Sequence, residues 1–255
     1  TWRGGRWSAT ARGELRNGQL ADRKGATFGA ISQLGEGSMV GTGFTWTRAT
    51  GINGASSEVF DGAIAAAHRP ANSAVAFLTK VEFRSDSVTN AVSGEAGPAG
   101  RTALTVDGDA RSRRVIGAIS ANWSPRGKHD GQFVQRTELG LFAAVRHNFD
   151  GYEGFNLAGT TVIGGLDARL GLSEHFDLGA VATVRHSLND HTTSFAFGPQ
   201  IGISPAKDVL LTLGYNITGF RDRDFSAARS TDKGLFATLR MKVDADTFGF
   251  LGLGR

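Results

Sequence analysis

The residues best suited to chemistry in this sequence are two pairs, Asp190 beside His191, and Asp222 with Asp224 in "RDRDF" at 221–225. A carboxylate that orients an imidazole makes a general base able to activate water. No motif fixes that geometry here, and a polar turn at 190–191 and a loop of alternating charge at 221–225 account for both pairs. His147 and His186 occupy positions where a Ser–His couple would be conceivable, yet neither stands near a recognisable nucleophile. The six histidines, His68, His129, His147, His175, His186 and His191, lack the i, i+4 or carboxylate-clustered spacing of metal ligands. "GEGS" (35–38) and "VIGGLDARLG" (162–171) are glycine-containing but have neither the lysine nor the loop-to-helix context of a phosphate cradle. The expectation is no enzyme, no cofactor and no metal. "RDRDF" remains the most singular segment: extended, it turns Arg221 and Arg223 one way and Asp222 and Asp224 the other, ahead of Phe225, as a charged latch over an interior would.

Stepping from residues to the elements that hold them, the dominant signal is a period of two. In "LFATLRMKVD" (235–244), Leu235, Ala237, Leu239, Met241 and Val243 alternate with Phe236, Thr238, Arg240, Lys242 and Asp244. An extended chain sends successive side chains to opposite faces, so this is a ribbon with one oily and one polar side. Scored the same way, the chain predicts about twelve strands, near 7–16, 26–34, 39–48, 58–69, 74–85, 113–124, 136–149, 160–172, 176–187, 193–203, 209–219 and 234–244. "FDGAIAAAHR" (60–69) is the best helical candidate, but Gly62 inside it favours a strand. Pro70, Pro98, Pro125 and Pro205 are expected in connections. Pro199 falls inside the tenth predicted strand and implies that it is short, bulged or misplaced.

Composition agrees. The 255 residues include 36 Gly, about twice the usual share of ~7%, and only 5 Pro. The net charge of +4 is spread without a block of like charges, which gives nucleic-acid binding no support. There is no Cys, so disulfides and thiolate metal sites are excluded. No apolar run reaches the ~18 residues of a membrane-spanning helix. A signal peptide is not evident at Thr1, so the chain reads as a mature product or a piece of something longer.

The connections are expected to be short at one end of the strands ("GEGS", "RPANS", "SEH", "SPAKD", with "SPRGKHDGQFVQ" the exception) and long at the other, at 86–112 and 221–232. That contrast belongs to transmembrane β-barrels. One face then carries Arg12, Glu14, Arg16, Lys80, Glu82, Arg84, Glu138, Arg146, Asp167, Arg169, Arg185, Arg240 and Lys242, expected to line a wet lumen. The opposite face is expected to meet lipid. On it Phe28, Trp46, Phe60, Phe83, Phe149 and Phe195 fall near the outer strand ends, and Trp7, Trp123 and Phe176 near the inner ends. Two such rows match the aromatic girdles of a barrel better than the surface of a soluble β-sandwich, the competing reading. The fold class expected is all-β: one closed antiparallel transmembrane barrel over 1–255, with a lead-in at 1–6, a tail at 245–255 and both termini periplasmic.

Two stretches, "LTVDGDARSRRVIGAISANWSPRGKHDGQFVQRTELGLFAAVRHNFD" (104–150) and "LLTLGYNITGFRDRDFSAARSTDKGLFATLRMKVDAD" (210–246), resemble the C-terminal barrel of very large envelope proteins of Gram-negative bacteria, in which tandem repeats precede a terminal outer-membrane barrel. The most specific pieces are "GYN" (214–216), "GFRDRDF" (219–225) and the basic last strand; residues 1–75 match by pattern alone. The chain departs from outer-membrane barrels that finish on an aromatic residue, since "ADTFGFLGLGR" follows the last predicted strand, with Phe248 and Phe250 as the available aromatics. The resemblance implies an outer-membrane anchor or translocator for a large surface protein. Its implied partners are the bilayer and its lipopolysaccharide, the barrel-assembly machinery and upstream repeats of the same polypeptide. A solute-conducting porin is the alternative, and a surface hydrolase a third.

Overall fold

The computed structural model describes residues 1–70, 73–91, 108–125, 137–206, 209–221 and 231–241. They form one antiparallel sheet in which each strand pairs with its neighbours in sequence, in the order β1 to β13. The strands are β1 (Trp2–Arg3), β2 (Trp7–Arg16), β3 (Ala21–Gly35), β4 (Ser38–Gly51), β5 (Ser56–His68), β6 (Val75–Ala91), β7 (Gly108–Trp123), β8 (Glu138–Tyr152), β9 (Phe155–Gly171), β10 (Phe176–Ser187), β11 (Thr192–Ala206), β12 (Val209–Asn216) and β13 (Gly234–Met241). There is no helix among the described residues. The first and last long strands, β2 and β13, are not paired with each other among the described residues.

Every strand expected from the alternation is present, and β2 and β10 have the expected ends. Several others differ at their ends, and residues 242–244 of the last one lie outside the described residues. Asp22, Arg23 and Lys24 interrupt the apolar rhythm and read as loop, yet they continue the ladder of β3 against β4 from Ala21↔Gly51 onward. Strands β6 and β7 stay paired to Ala91↔Gly108, and β8 and β9 to Tyr152↔Phe155, well past the oily alternation that marked them. Strand β12 stops at Asn216 instead of 219. The expected lead-in at 1–6 contains β1, which lies along the start of β2 through Trp2↔Ala9 and Arg3↔Ser8.

Because the strands outgrow their expected ends, the two rims differ less in loop length than the sequence suggested. At the upper rim β2–β3, β4–β5, β8–β9 and β10–β11 are joined by 17–20, 52–55, 153–154 and 188–191. These are as short as 36–37, 172–175 and 207–208 at the lower rim. The long connections are 92–107 and 217–233 above and 124–137 below. Strand β2 starts and β13 ends at the lower rim.

One proline corrects the expectation and another meets it. Pro205 lies in β11 and not in a connection, next to the register shift between Ile203 and Ala206. Pro199 sits within the same strand without shortening it: it pairs with Ala180 of β10. On its other side the ladder to β12 runs only from Gln200↔Gly214 and resumes as the isolated bridge Phe197↔Thr218. The register slips there by one residue, a bulge on the β12 side that leaves the proline nitrogen with no donor role to fill.

Candidate functional site

Directly paired residues of an antiparallel ladder put their side chains on the same face, so the registers carry one face across all the strands. Trp7, Phe28, Trp46, Phe60, Phe83, Trp123, Phe149, Phe176 and Phe195 all share one face. Arg12, Glu14, Arg16, Lys80, Glu82, Arg84, Glu138, Arg146, Asp167, Arg169, Arg185 and Arg240 all share the other. Lys242 lies outside the described residues.

Burial is inverted relative to a water-soluble sheet. The buried strand side chains, from Ile116, Ala144 and Ile163 to Arg169, Gln200, Leu210 and Thr212, belong to the charged face. The apolar face is open: Leu235 is 87% and Leu239 59% exposed, against 0% for Leu210. Each long strand from β3 to β13 exposes Leu, Ile, Val or Phe on this face. A soluble domain seldom exposes a contiguous apolar patch beyond a few hundred Å².

The sheet curls around its charged face. The Arg169 guanidinium on β9 donates from Nη1 to Thr212 Oγ1 on β12 at 3.1 Å and from Nη2 to Gln200 Oε1 on β11 at 3.4 Å. Three strand spacings amount to about 14 Å in a flat sheet, further than an arginine and a threonine bridge, so this bond requires curvature. Arg169 also pairs with Asp167 (3.3 Å) and with Asp177 of β10 (3.6 Å), and Gln200 Nε2 donates to the same Asp167 carboxylate. The Asp177 side chain lies over Gly202, where a Cβ would come within 2.2 Å of its carboxylate. A buried arginine bordered by two carboxylates and two neutral acceptors has its charge matched and its donors used.

Above this network the segment after β12 enters the concavity. Phe220 packs against the Ile116, Ala144 and Ile163 cluster contributed by β7, β8 and β9. Arg185 stands 5.3 Å over its ring. The segment is tied at its base by Phe220 N–H to Thr231 O (2.9 Å), by Asn216 Nδ2 to Asp232 O (2.9 Å) and by Arg221 to Asp232 (3.3 Å). Of the expected lid, Arg221 is thus placed, while Asp222, Arg223, Asp224 and Phe225 lie outside the described residues. Phe220, Asp177 and Gln200 were not singled out in the sequence. Phe220 sits in a stretch with no alternation, and a Gln or Asp among small residues gives no sign of its distant partner.

Several other wall charges have local partners. Lys80 pairs with Glu82, and Arg84 Nε with Asp86 at 2.7 Å; each pair sits two residues apart on one strand. Glu138 accepts from Asn122 Nδ2, and Arg146 Nη2 donates to Thr161 Oγ1 at 3.5 Å. Arg12 and Arg16 on β2 are exposed.

The exposed face has its own order. Phe28, Phe44, Phe60 and Phe83 form a ribbon of rings across β3 to β6, with centroids 6.4, 6.2 and 5.7 Å apart. Gly62, opposite both Phe44 and Phe83, makes room for it: a Cβ there would meet the Phe44 ring at 2.7 Å. Above the ribbon the face turns polar at one level, where Lys24, Arg48, Glu58, Ser87 and Arg111 are successive cross-strand partners. Among the described strands, every charged residue on this face (Asp22, Lys24, Arg48, Glu58, Asp109, Arg111 and Arg113) lies at the upper end. From Leu139 to Phe149 on β8 the face carries no Asp, Glu, Lys or Arg. That run is about 33 Å along the strand, or about 25 Å in height at the ~40° tilt of barrel strands.

Four of the histidines meet a neighbouring strand or the segment beside it. His147 Nδ1 meets Thr160 Oγ1 (2.6 Å) and His186 Nδ1 meets Thr193 Oγ1 (2.8 Å), each across a strand pair. His68 Nδ1 meets Ser38 Oγ (2.8 Å) and His175 Nδ1 meets Ser204 O (3.0 Å). The 188–191 turn places His191 in a left-handed conformation (φ 51°), and Asp190 accepts from Ser187 Oγ at 3.2 Å. His129 lies outside the described residues.

No protein-family model matches the chain, and no curated protein does. Among solved structures, the chain is similar to the translocator domain of the autotransporter NalP from Neisseria meningitidis, at 13% sequence identity and a TM-score of 0.34, over 93% of this chain and 87% of that one.

Proposed function

We propose that the sheet is an outer-membrane β-barrel that anchors, and helps to translocate, a larger surface or envelope protein of a Gram-negative bacterium. The observation that carries the membrane reading is the open apolar face with its charges confined to one end. A face about 25 Å high, fringed by aromatic rings and then by charge, is what hydrocarbon and its interface require. In that solvent a sheet edge cannot stay unpaired. We take β13 to close on β2 along Thr10 to Arg16, the part of the β2 edge that β1 leaves free. The lower rim, where the sheet begins and ends, is then periplasmic.

The anchor role draws support from the concavity and from the resemblance of residues 104–150 and 210–246 to barrels that follow tandem repeats. Phe220, Arg185 and the Arg169 network occupy the interior on the β7 to β12 side, which suits a support more than a free channel. The reading assigns no catalysis; its partners are the bilayer, the assembly machinery and upstream repeats. Planar-bilayer recordings of the refolded chain test it. Little steady conductance is expected, unchanged by Arg146→Gln or Arg240→Gln. A large steady conductance whose ion preference follows those substitutions would replace the anchor by a porin.

A further inference from the structure

We infer that the upper margin of the exposed face, on β3 to β7, is a binding site for a bis-phosphorylated glycolipid of the outer leaflet. The inference rests on the barrel reading above and names the lipid that the barrel selects. Lys24 and Arg48 are direct cross-strand partners, and Arg111 and Arg113 follow each other on the same face of β7. All four are exposed, and none makes an ion pair among the described residues. Glu58, between the two pairs, is turned to Trp46, whose Nε1 donates to it at 2.8 Å.

From Arg48 to Arg111 is three strand spacings, about 14 Å, so the cations form two separated pairs. Directly below lies the phenylalanine ribbon from Phe28 to Phe83. An aromatic ribbon topped by two cationic pairs is complementary to acyl chains topped by two phosphates. Lysine and arginine are the side chains that bind phosphate oxygens most strongly. The lower margin of the same face has no charged residue on any described strand, so the feature is confined to one leaflet.

The test compares the refolded full chain with a variant carrying Lys24→Ala, Arg48→Ala, Arg111→Ala and Arg113→Ala, both in detergent micelles. Retention of lipid A, of its dephosphorylated form and of phosphatidylglycerol is read by native mass spectrometry. The wild type is expected to hold lipid A roughly tenfold or more better than the variant, as four basic groups at a phosphate surface imply, and better than either other lipid. Equal retention by a variant with the same heat-modifiable gel mobility would overturn the site. So would equal retention of phosphatidylglycerol, which would mean attraction to any anionic lipid. These results leave the barrel reading standing; a wild-type chain that never becomes heat-modifiable in micelles would sink both.

Discussion

The two halves of this sheet solve the same problem differently. On β7 to β12 the concave face is closed: Ile116, Ala144, Ile163, Arg169, Asp177, Thr183, Gln200, Leu210 and Thr212 are buried there, and Phe220 caps the first three. On β2 to β6 the concave face buries one side chain among the described residues, Ser57, and its Arg12 and Arg16 stand exposed. Order on that side lies on the outer face, in the ribbon of phenylalanines. The second half is therefore held by contacts between strands distant in sequence, and the first by contacts between adjacent strands. Stability is expected to concentrate in the second half, and sensitivity to the surrounding lipid in the first.

The sharpest break in that contrast is Asp177→Ala. It leaves Arg169 with less counter-charge in a buried site, which typically costs about 3–5 kcal/mol. Urea unfolding from micelles should register it as a large loss of midpoint; an unchanged midpoint would mean that the network is wet and dispensable. Next comes Leu239→Arg, on the open face, expected to cost about 2–4 kcal/mol if that face meets hydrocarbon. Thr238→Arg, its neighbour on the concave face, should insert into lipid vesicles nearly as well as wild type. Equal impairment by the two would reverse the faces or the register.

Phe220→Ala sharpens the difference between a filled and an open interior. It removes the cap from the β7 to β9 cluster, with an expected loss of about 1–3 kcal/mol and a rise in single-barrel conductance in planar bilayers. Smallest of all, Arg12→Gln on the open half should shift the unfolding midpoint by less than about 0.5 kcal/mol. A larger loss there would show that the first half holds an interior network of its own.

The alternation at residues 235–241 was enough to give strand and faces, because a period of two survives any tertiary context in which one face is oily. The same rule failed at Asp22 to Lys24 and beyond Ser85, where the oily alternation stops and the ladder continues without it. It also failed at Phe220, whose place is fixed by cluster residues from three strands that lie far away in sequence. Charges on the concave face could be assigned by parity alone, but their partners could not. Arg169 meets Thr212 only because the sheet curls, and curvature is a property of the assembled strands. The basic margin at Lys24 and Arg48 was hidden for a further reason: Lys24 read as loop until the register of β3 with β4 set it beside Arg48.

The central claim is that the apolar face meets lipid and the charged face does not. Since the chain has no cysteine, single cysteines can be placed at Leu239 and Ile119 on the apolar face and at Thr238 and Ser120 on the charged face, then spin-labelled in reconstituted vesicles. Electron paramagnetic resonance should find the labels at 239 and 119 accessible to dissolved oxygen and shielded from a water-soluble nickel complex. The labels at 238 and 120 should be the less oxygen-accessible pair. Equal accessibility at neighbouring positions, or the reverse pattern, would contradict the account.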